Sequence, residues 1–325
     1  MFKMLGQAYG MQKNLNKVEE FLNDFMTFNE PYISKSALEI LSSGGKRVRP
    51  TLVILTASAF DQEEKAIPLA AAMELIHMSS LIHDDIIDGA DPRRGIPTLN
   101  VAHSRQYALH AGDYVLTKAV ELVSEQPNSQ RLLSVIADLS IEMSLGEIEQ
   151  LRTMYDVEQT VEDYNYRIDR KTALLMATSC QAGALVAYAP EDLVDLYYQI
   201  GHNLGMAFQI KDDILDFETS AKKLGKPAGE DLARGIMTLP TILVLQKDFA
   251  EKEWLLNAIK QRFPGGRAEV NRAIEIIKEQ KGLEAAYEHS LQYVLEAKKC
   301  IALLPEHPVQ KTLLAGADYI IERSF

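Results

Sequence analysis

Two short acidic runs carry the most specific chemistry in this chain. Asp84-Asp85-Ile86-Ile87-Asp88 and Asp212-Asp213-Ile214-Leu215-Asp216 both have the form D-D-x-x-D inside an apolar helical pattern. A helix advances about 100° per residue, so the first, second and fifth positions share one face. Three like charges on one face repel, and aspartate has little helix propensity to offset that cost. A hard divalent cation relieves it. Mg²⁺ in particular takes one or two carboxylates and completes its shell with phosphate oxygens. Two such helices facing each other would hold several Mg²⁺ ions around a diphosphate. A solvated acidic face is the plainer alternative. It fits poorly with Leu81 and Ile82 ahead of the first run and Phe208 and Ile210 ahead of the second. A calcium loop counted from Asp84 fails too, because Ile86 and Gly95 fall where that loop needs an oxygen ligand and a glutamate.

Phosphate chemistry also needs cations. Gly44-Gly45-Lys46-Arg47-Val48-Arg49-Pro50 sets three of them beside a glycine pair that allows close backbone approach. Arg93-Arg94-Gly95 follows the first acidic run, and His77 lies seven residues before Asp84, about two turns back on nearly the same face. Lys171-Thr172 follows Arg167 and Arg170, and Lys226 follows Gly225. Each of these alone reads as an ordinary solvated basic residue or a packed histidine. Their weight comes from the set.

The elements that must position these groups are helical. Apolar residues recur at three- and four-residue spacings, as in Ala70 to Asp85 and Ile200 to Phe217, and strict two-residue alternation is rare. Most prolines, among them Pro31, Pro50, Pro68, Pro190, Pro227 and Pro264, fall between periodic segments as helix boundaries. No composition shift marks a linker. The expected architecture is one all-α domain over residues 1–325 with ten or more helices.

Bulk properties narrow the class further. Apolar residues make up 47% and charged residues 25% of the 325, the balance of a soluble globular protein. A net charge of −12 provides no global basic field for nucleic acid, so anionic ligands must be held by local cations or metal. Cys180 and Cys300 have no metal-ligand spacing and read as free thiols of a reducing cytosol. No window reaches the roughly 18 apolar residues of a membrane span, and the first residues carry no signal-peptide pattern, so a cytoplasmic location is expected.

Taken together the motifs resemble the trans-prenyl diphosphate synthases. GGKRVRP (Gly44 to Pro50), ELIHMSSLIHDDIID (Glu74 to Asp88), RRG (Arg93 to Gly95), GDYVL (Gly112 to Leu116), GEIEQ (Gly146 to Gln150), RKTALL (Arg170 to Leu175), GMAFQIKDDILDF (Gly205 to Phe217) and LGKPAGEDL (Leu224 to Leu232) occur in the family's order. They cover most of the chain from about residue 40 to 245. In detail the chain is most similar to the large catalytic subunits, component II, of bacterial heptaprenyl diphosphate synthases.

The resemblance implies a helical bundle around a deep central cavity, and it implies roles. Gly45, Lys46, Arg49, His77 and Arg94 match positions for isopentenyl diphosphate. Arg93, Lys171, Thr172, Gln209 and Lys226 match positions around the allylic diphosphate. Asp84, Asp88 and Asp212 match the main Mg²⁺ ligands, with Asp85, Asp213 and Asp216 acting through water or as supports. Many family members place a second lysine where Ile236 stands here, in Gly235 to Pro240, which removes one phosphate contact.

The implied reaction is ionisation of the allylic diphosphate, with Mg²⁺, Arg93 and Lys171 stabilising the departing charge. Attack by the isopentenyl double bond and loss of a proton follow. The leaving diphosphate accepts that proton, so no side-chain base is assigned. A terpene cyclase would not need the second diphosphate site that GGKRVRP and RRG supply, and its product would be a cyclic hydrocarbon. A non-catalytic interaction subunit typically loses acidic motifs that are intact here. The expected partner is a small regulatory subunit, component I, or a second copy of the chain. Weak activity is expected for the chain alone, and a stand-alone hexa- to nonaprenyl synthase is the alternative.

Product length has a steric basis. Ser79 and Ser80 precede Asp84 by about one turn, where short-chain relatives carry aromatic residues, and Ala72 lies about two turns further back. Small residues there leave a tail path open along the helix, or merely allow close helix packing. The expected product exceeds four isoprene units. Seven follows from the resemblance and suits a quinone side chain such as that of menaquinone.

Overall fold

The computed structural model describes residues 11–27, 31–42, 47–90, 96–218 and 227–322. Among the described residues no extended strand forms, and helix follows helix along the chain, as an all-α architecture requires. They are α1 (Met11–Phe25), α2 (Pro31–Ser42), α3 (Val48–Ser58), α4 (Ile67–Asp88), α5 (Leu99–Ala102), α6 (Arg105–Ser124), α7 (Ser129–Arg152), α8 (Val161–Ile168), α9 (Leu174–Val186) and α10 (Glu191–Glu218). After these come α11 (Glu230–Ala233), α12 (Leu239–Leu245), α13 (Lys252–Lys260), α14 (Arg267–Glu279), α15 (Gly282–Ala302) and α16 (Pro308–Glu322). Between α8 and α9 the backbone widens into a π turn, Asp169–Ala173.

The residues group into two compact units. The first comprises Met1–Asp138, Leu175–Tyr198 and Leu304–Leu313, and the second Leu139–Leu174, Gln199–Leu303 and Leu314–Phe325.

In the first unit α4 is the central element, with α1, α3 and α6 packed against it. Its N-terminal half, from Leu69 to Leu75, is buried on every side, as expected of a helix that is apolar all round. Pro68 starts it, where a missing N–H costs nothing. Ala70, Ala71 and Ala72 allow neighbours to approach, and Leu69, Met73 and Leu75 each contribute roughly 1.5–3 kcal/mol by burial. The helix ends where its sequence turns acidic. Gly89 takes the left-handed conformation (φ 59°, ψ 31°) and its N–H bonds the carbonyl of Asp85.

The second unit surrounds a core that includes Tyr164, Ile168, Met206, Ile210, Ile214, Phe217, Leu232 and Met237. Thr160 caps α8: its hydroxyl accepts from the N–H of Asp163 at 3.1 Å, and the Asp163 carboxylate accepts from the N–H of Thr160 at 2.9 Å. The helix therefore starts at a fixed place, which sets the register of the π turn that follows.

Candidate active site

The acidic runs occupy equivalent places in their own helices. Asp84, Asp85 and Asp88 fill the last turns of α4, and Asp212, Asp213 and Asp216 the last turns of α10. Neither helix has a basic residue in its last turn. Six carboxylates thus stand at the negative ends of two helix dipoles, the reverse of the stabilising arrangement. Asp85 and Asp213 are buried, Asp84 and Asp212 half-buried and Asp88 exposed.

In the first unit, Ile40, Leu81, Ile82, Asp85, Ile96, Pro97, Thr98 and Leu99 line a small cavity beside the acidic run. The Thr98 hydroxyl donates to the carbonyl of Ala90 at 2.6 Å and ties the returning chain to the end of α4. His77 is half-buried on α4 and Arg49 half-buried near the start of α3. Arg47, a cation of the same basic segment, is spent on structure. It bonds Glu74 at 2.7 Å and the Leu41 carbonyl at 2.8 Å, and pairs with Glu19. Ser79 is buried and donates to the carbonyl of Gly112 at 2.9 Å, whereas Ser80 is half-buried and donates to the carbonyl of His77 at 2.8 Å. Gly45, Lys46, Arg93, Arg94 and Lys226 lie outside the described residues.

The second unit shows what the GEIEQ and RKTALL segments do for each other. The Lys171 ammonium, in the π turn, donates to Glu147 at 2.8 Å and to the Gln150 side-chain oxygen at 3.1 Å. A β-carbon on Gly146 would stand 2.6 Å from that of Arg170, so only glycine allows α7 to lie this close to the turn. π turns recur at functional sites because they re-aim side chains within a helix.

A hydrogen-bonded chain then links three of the residues picked out in the sequence. The Thr172 hydroxyl donates to Gln209 Oε1 at 2.6 Å, Gln209 Nε2 donates to Asp213 Oδ1 at 2.8 Å, and the Tyr164 hydroxyl donates to Asp213 Oδ2 at 2.7 Å. Burial, and next the charge of Asp231, push the Asp213 carboxyl up to about 7. The same two causes raise Asp216, which accepts from the Asp231 N–H at 3.4 Å. Ile236 is half-buried, and its N–H bonds the Asp231 carbonyl at 2.8 Å.

Sequence reasoning did not single out Tyr164, Glu147, Gln150 or Arg167 as site residues. Arg167 is buried, donating to Gln159 at 2.7 Å and to the Met237 carbonyl, with its guanidinium 5.6 Å from the Tyr164 ring. The signal that could have found Arg167 is its helical spacing of three residues from Arg170, whereas nothing local marks Tyr164.

The donor set of the two acidic runs is all oxygen, which suits a hard divalent cation. Among the described residues no three acidic, histidine or cysteine side chains form a metal cage by themselves. Mg²⁺ normally finishes its shell with water and substrate phosphate.

Residues 30–277 match the polyprenyl synthetase family. The chain belongs to that family. It is 40% identical to heptaprenyl diphosphate synthase component 2 of Geobacillus stearothermophilus, over 97% of each chain. A solved heptaprenyl diphosphate synthase from Staphylococcus aureus is 34% identical, with a TM-score of 0.89 over 96% of this chain and 98% of that one. A polyprenyl synthase from Caulobacter crescentus CB15, solved with calcium and isoprenyl diphosphate, is 30% identical, with a TM-score of 0.92 over 99% and 98%. As a polyprenyl synthetase the chain is a prenyltransferase with the all-α isoprenoid synthase fold, in a family that uses divalent metal. Among the described residues of this polyprenyl synthetase, no helix is long and apolar enough to cross a membrane.

Proposed function

We propose that the chain is the catalytic subunit of a cytoplasmic heptaprenyl diphosphate synthase. In this reading residues 1–325 form one synthase domain, which extends an allylic diphosphate with isopentenyl diphosphate to make a quinone side-chain precursor. The observation that carries it is the pair of D-D-x-x-D runs at the negative ends of α4 and α10, with no basic residue in either last turn. Mg²⁺ bound through Asp84, Asp88 and Asp212, with Asp85, Asp213 and Asp216 in support, would neutralise the diphosphate and ease its departure.

The chain's own groups do the rest. The Lys171 ammonium, supported by Glu147 and Gln150, offers a preorganised positive charge to the leaving diphosphate. Arg93, Lys226, Thr172 and Gln209 complete the allylic site, and Gly45, Lys46, Arg49, His77 and Arg94 hold isopentenyl diphosphate. As the allylic C1–O bond breaks, the terminal carbon of the isopentenyl double bond bonds to C1. A proton then leaves C2 for the departed diphosphate. Around the second acidic run the buried Ile210, Ile214, Leu215 and Phe217 exclude water that would otherwise trap the cation.

A partner subunit is supported by an apolar stripe on α7. Ile141, Leu145, Ile148 and Leu151 recur at helical spacing and are 58%, 42%, 60% and 49% exposed. In this reading a small regulatory subunit, component I, covers it.

Product analysis with farnesyl diphosphate, isopentenyl diphosphate and Mg²⁺ tests the whole reading. Seven-unit product should require a small subunit as well as this chain. A cyclic hydrocarbon, or no product with any small subunit, would overturn it. Long product from the chain alone would replace it with a stand-alone synthase.

A further inference from the structure

Tyr164 is the largest wholly buried side chain among the described residues, yet it carries a hydroxyl. A hydroxyl so placed needs a partner, and it has one in Asp213, itself only 4% exposed. The direction of donation along the chain Tyr164, Asp213, Gln209, Thr172 follows from what each group can do. Gln209 turns its amide nitrogen to Asp213 Oδ1, the orientation that suits a carboxylate, which only accepts. That fixes the Gln209 carbonyl towards Thr172, whose hydroxyl has a single proton and spends it there. Thr172 is left with lone pairs alone. The second N–H of Gln209 is the donor this chain of groups does not consume.

We infer that Tyr164 is a positioning residue for the allylic diphosphate: by holding Asp213 it fixes the Gln209 amide, so that the N–H of Gln209 rather than the O–H of Thr172 is the neutral donor offered to the diphosphate. The inference rests on the allylic-site role proposed above for Gln209 and Thr172.

Loss of the Tyr164 hydroxyl explains why the holding matters. Asp213 Oδ2 would then be buried with no hydroxyl donor, and the carboxylate that orients the Gln209 amide would lose its anchor. The donor meant for substrate would no longer be aimed. The ring itself is fixed independently. The guanidinium of Arg167 lies 5.6 Å from its centroid and is anchored by Gln159 at 2.7 Å and by the Met237 carbonyl. Phenylalanine at 164 can therefore keep the packing and delete only the hydroxyl.

The test is calorimetric titration with farnesyl thiodiphosphate, an allylic analogue that resists ionisation, in the presence of Mg²⁺. It is run beside thermal unfolding and the KM for isopentenyl diphosphate. Tyr164→Phe should weaken the analogue about tenfold while the KM for isopentenyl diphosphate stays within about twofold. Gln209→Leu should weaken the analogue at least as much as Tyr164→Phe does, because it removes the amide donor outright. Analogue binding by Tyr164→Phe equal to the parent chain would overturn the inference. So would an equal weakening of both substrates together with a fall in the unfolding midpoint, which marks a purely structural role. If Tyr164→Phe does not fold, Gln209→Leu still decides: analogue affinity within about twofold of the parent chain would show that the amide is not the donor. A parent chain that does not bind the analogue would sink the proposed synthase function instead.

Discussion

Gly205 lies directly against Ala173: a β-carbon on Gly205 would stand 2.6 Å from the Cα of Ala173 and 3.0 Å from its β-carbon. Because the obstruction is backbone, it cannot swing aside. Gly205→Ala should push α10 away from the π turn and misplace Lys171 and Thr172. Overpacking of this kind costs about 1–3 kcal/mol, against roughly 0.5–1 kcal/mol gained by replacing a mid-helix glycine. Urea unfolding should show a net loss, and the KM for the allylic substrate should rise. Gly112→Ala is the control. There the obstruction is the ring of half-exposed His83, 2.4 Å from the new β-carbon and able to move, so stability and kinetics should change far less.

Removing a metal-side carboxylate should separate activity from stability. Asp84→Ala and Asp212→Ala should each lower kcat by about 10²-fold or more, since both would act on charge that develops in the transition state. Measured in chelator, their unfolding midpoints should match or exceed that of the parent. Each change removes a negative charge at a helix C-terminus, where it costs about 0.3–1 kcal/mol. Near-normal turnover in both variants would refute the assigned metal site.

The α7 stripe gives a test that leaves the chemistry alone. Ile148 is 60% exposed, so Ile148→Lys should leave the unfolding midpoint unchanged. Gel filtration and product assays with a small subunit should then reveal lost association and lost stimulation. Retained stimulation would place the partner elsewhere.

Ser80 and Ser79 should behave differently when enlarged. Ser80 is half-buried and its hydroxyl bonds the His77 carbonyl of its own helix, so Ser80→Phe should fold and shorten the product. Ser79 is 2% exposed with its hydroxyl on the Gly112 carbonyl, so Ser79→Phe should lose soluble protein first. An unchanged product distribution from active Ser80→Phe would mean that the tail takes another path.

Thiol labelling offers a check on the packing. Burial pushes the Cys180 thiol up to about 12, and partial burial also raises the half-buried Cys300. At pH 8 a soluble alkylating reagent should modify Cys300 slowly in the folded chain and leave Cys180 untouched until denaturant is added. Labelling of Cys180 in the folded state would contradict the packing around it.

What the residue pattern disclosed, and what it could not, divides along the range of the interactions involved. The acidic runs were readable because three carboxylates in five residues conflict with helix electrostatics wherever they occur. Their location at helix C-termini sharpened that conflict. The all-α architecture followed from periodicity alone. Tyr164 was not readable, because its partner Asp213 is 49 residues away and nothing local distinguishes it from a core tyrosine. Glu147 and Gln150 were visible only as part of a family-like segment, and their contact with Lys171 gives that segment a physical reason. Arg47 looked like one of three equivalent cations until the buried Glu74 claimed it. The serine pair looked uniform in the sequence, and only packing assigned one to a helix contact.

The π turn makes the chain's own helical wheel misleading. Each residue accommodated in a wider turn shifts everything beyond it by a fraction of the roughly 100° helical step, so residues before Asp169 and after Ala173 belong to two different angular frames. Deleting one residue within Asp169–Ala173 would let the backbone relax to an ordinary helix at little local cost. It would also rotate Lys171 and Thr172 out of phase with Glu147 and Gln209. The widened turn thus acts as a vernier between two apolar stripes, and a chain shortened there would keep its fold while losing its aim.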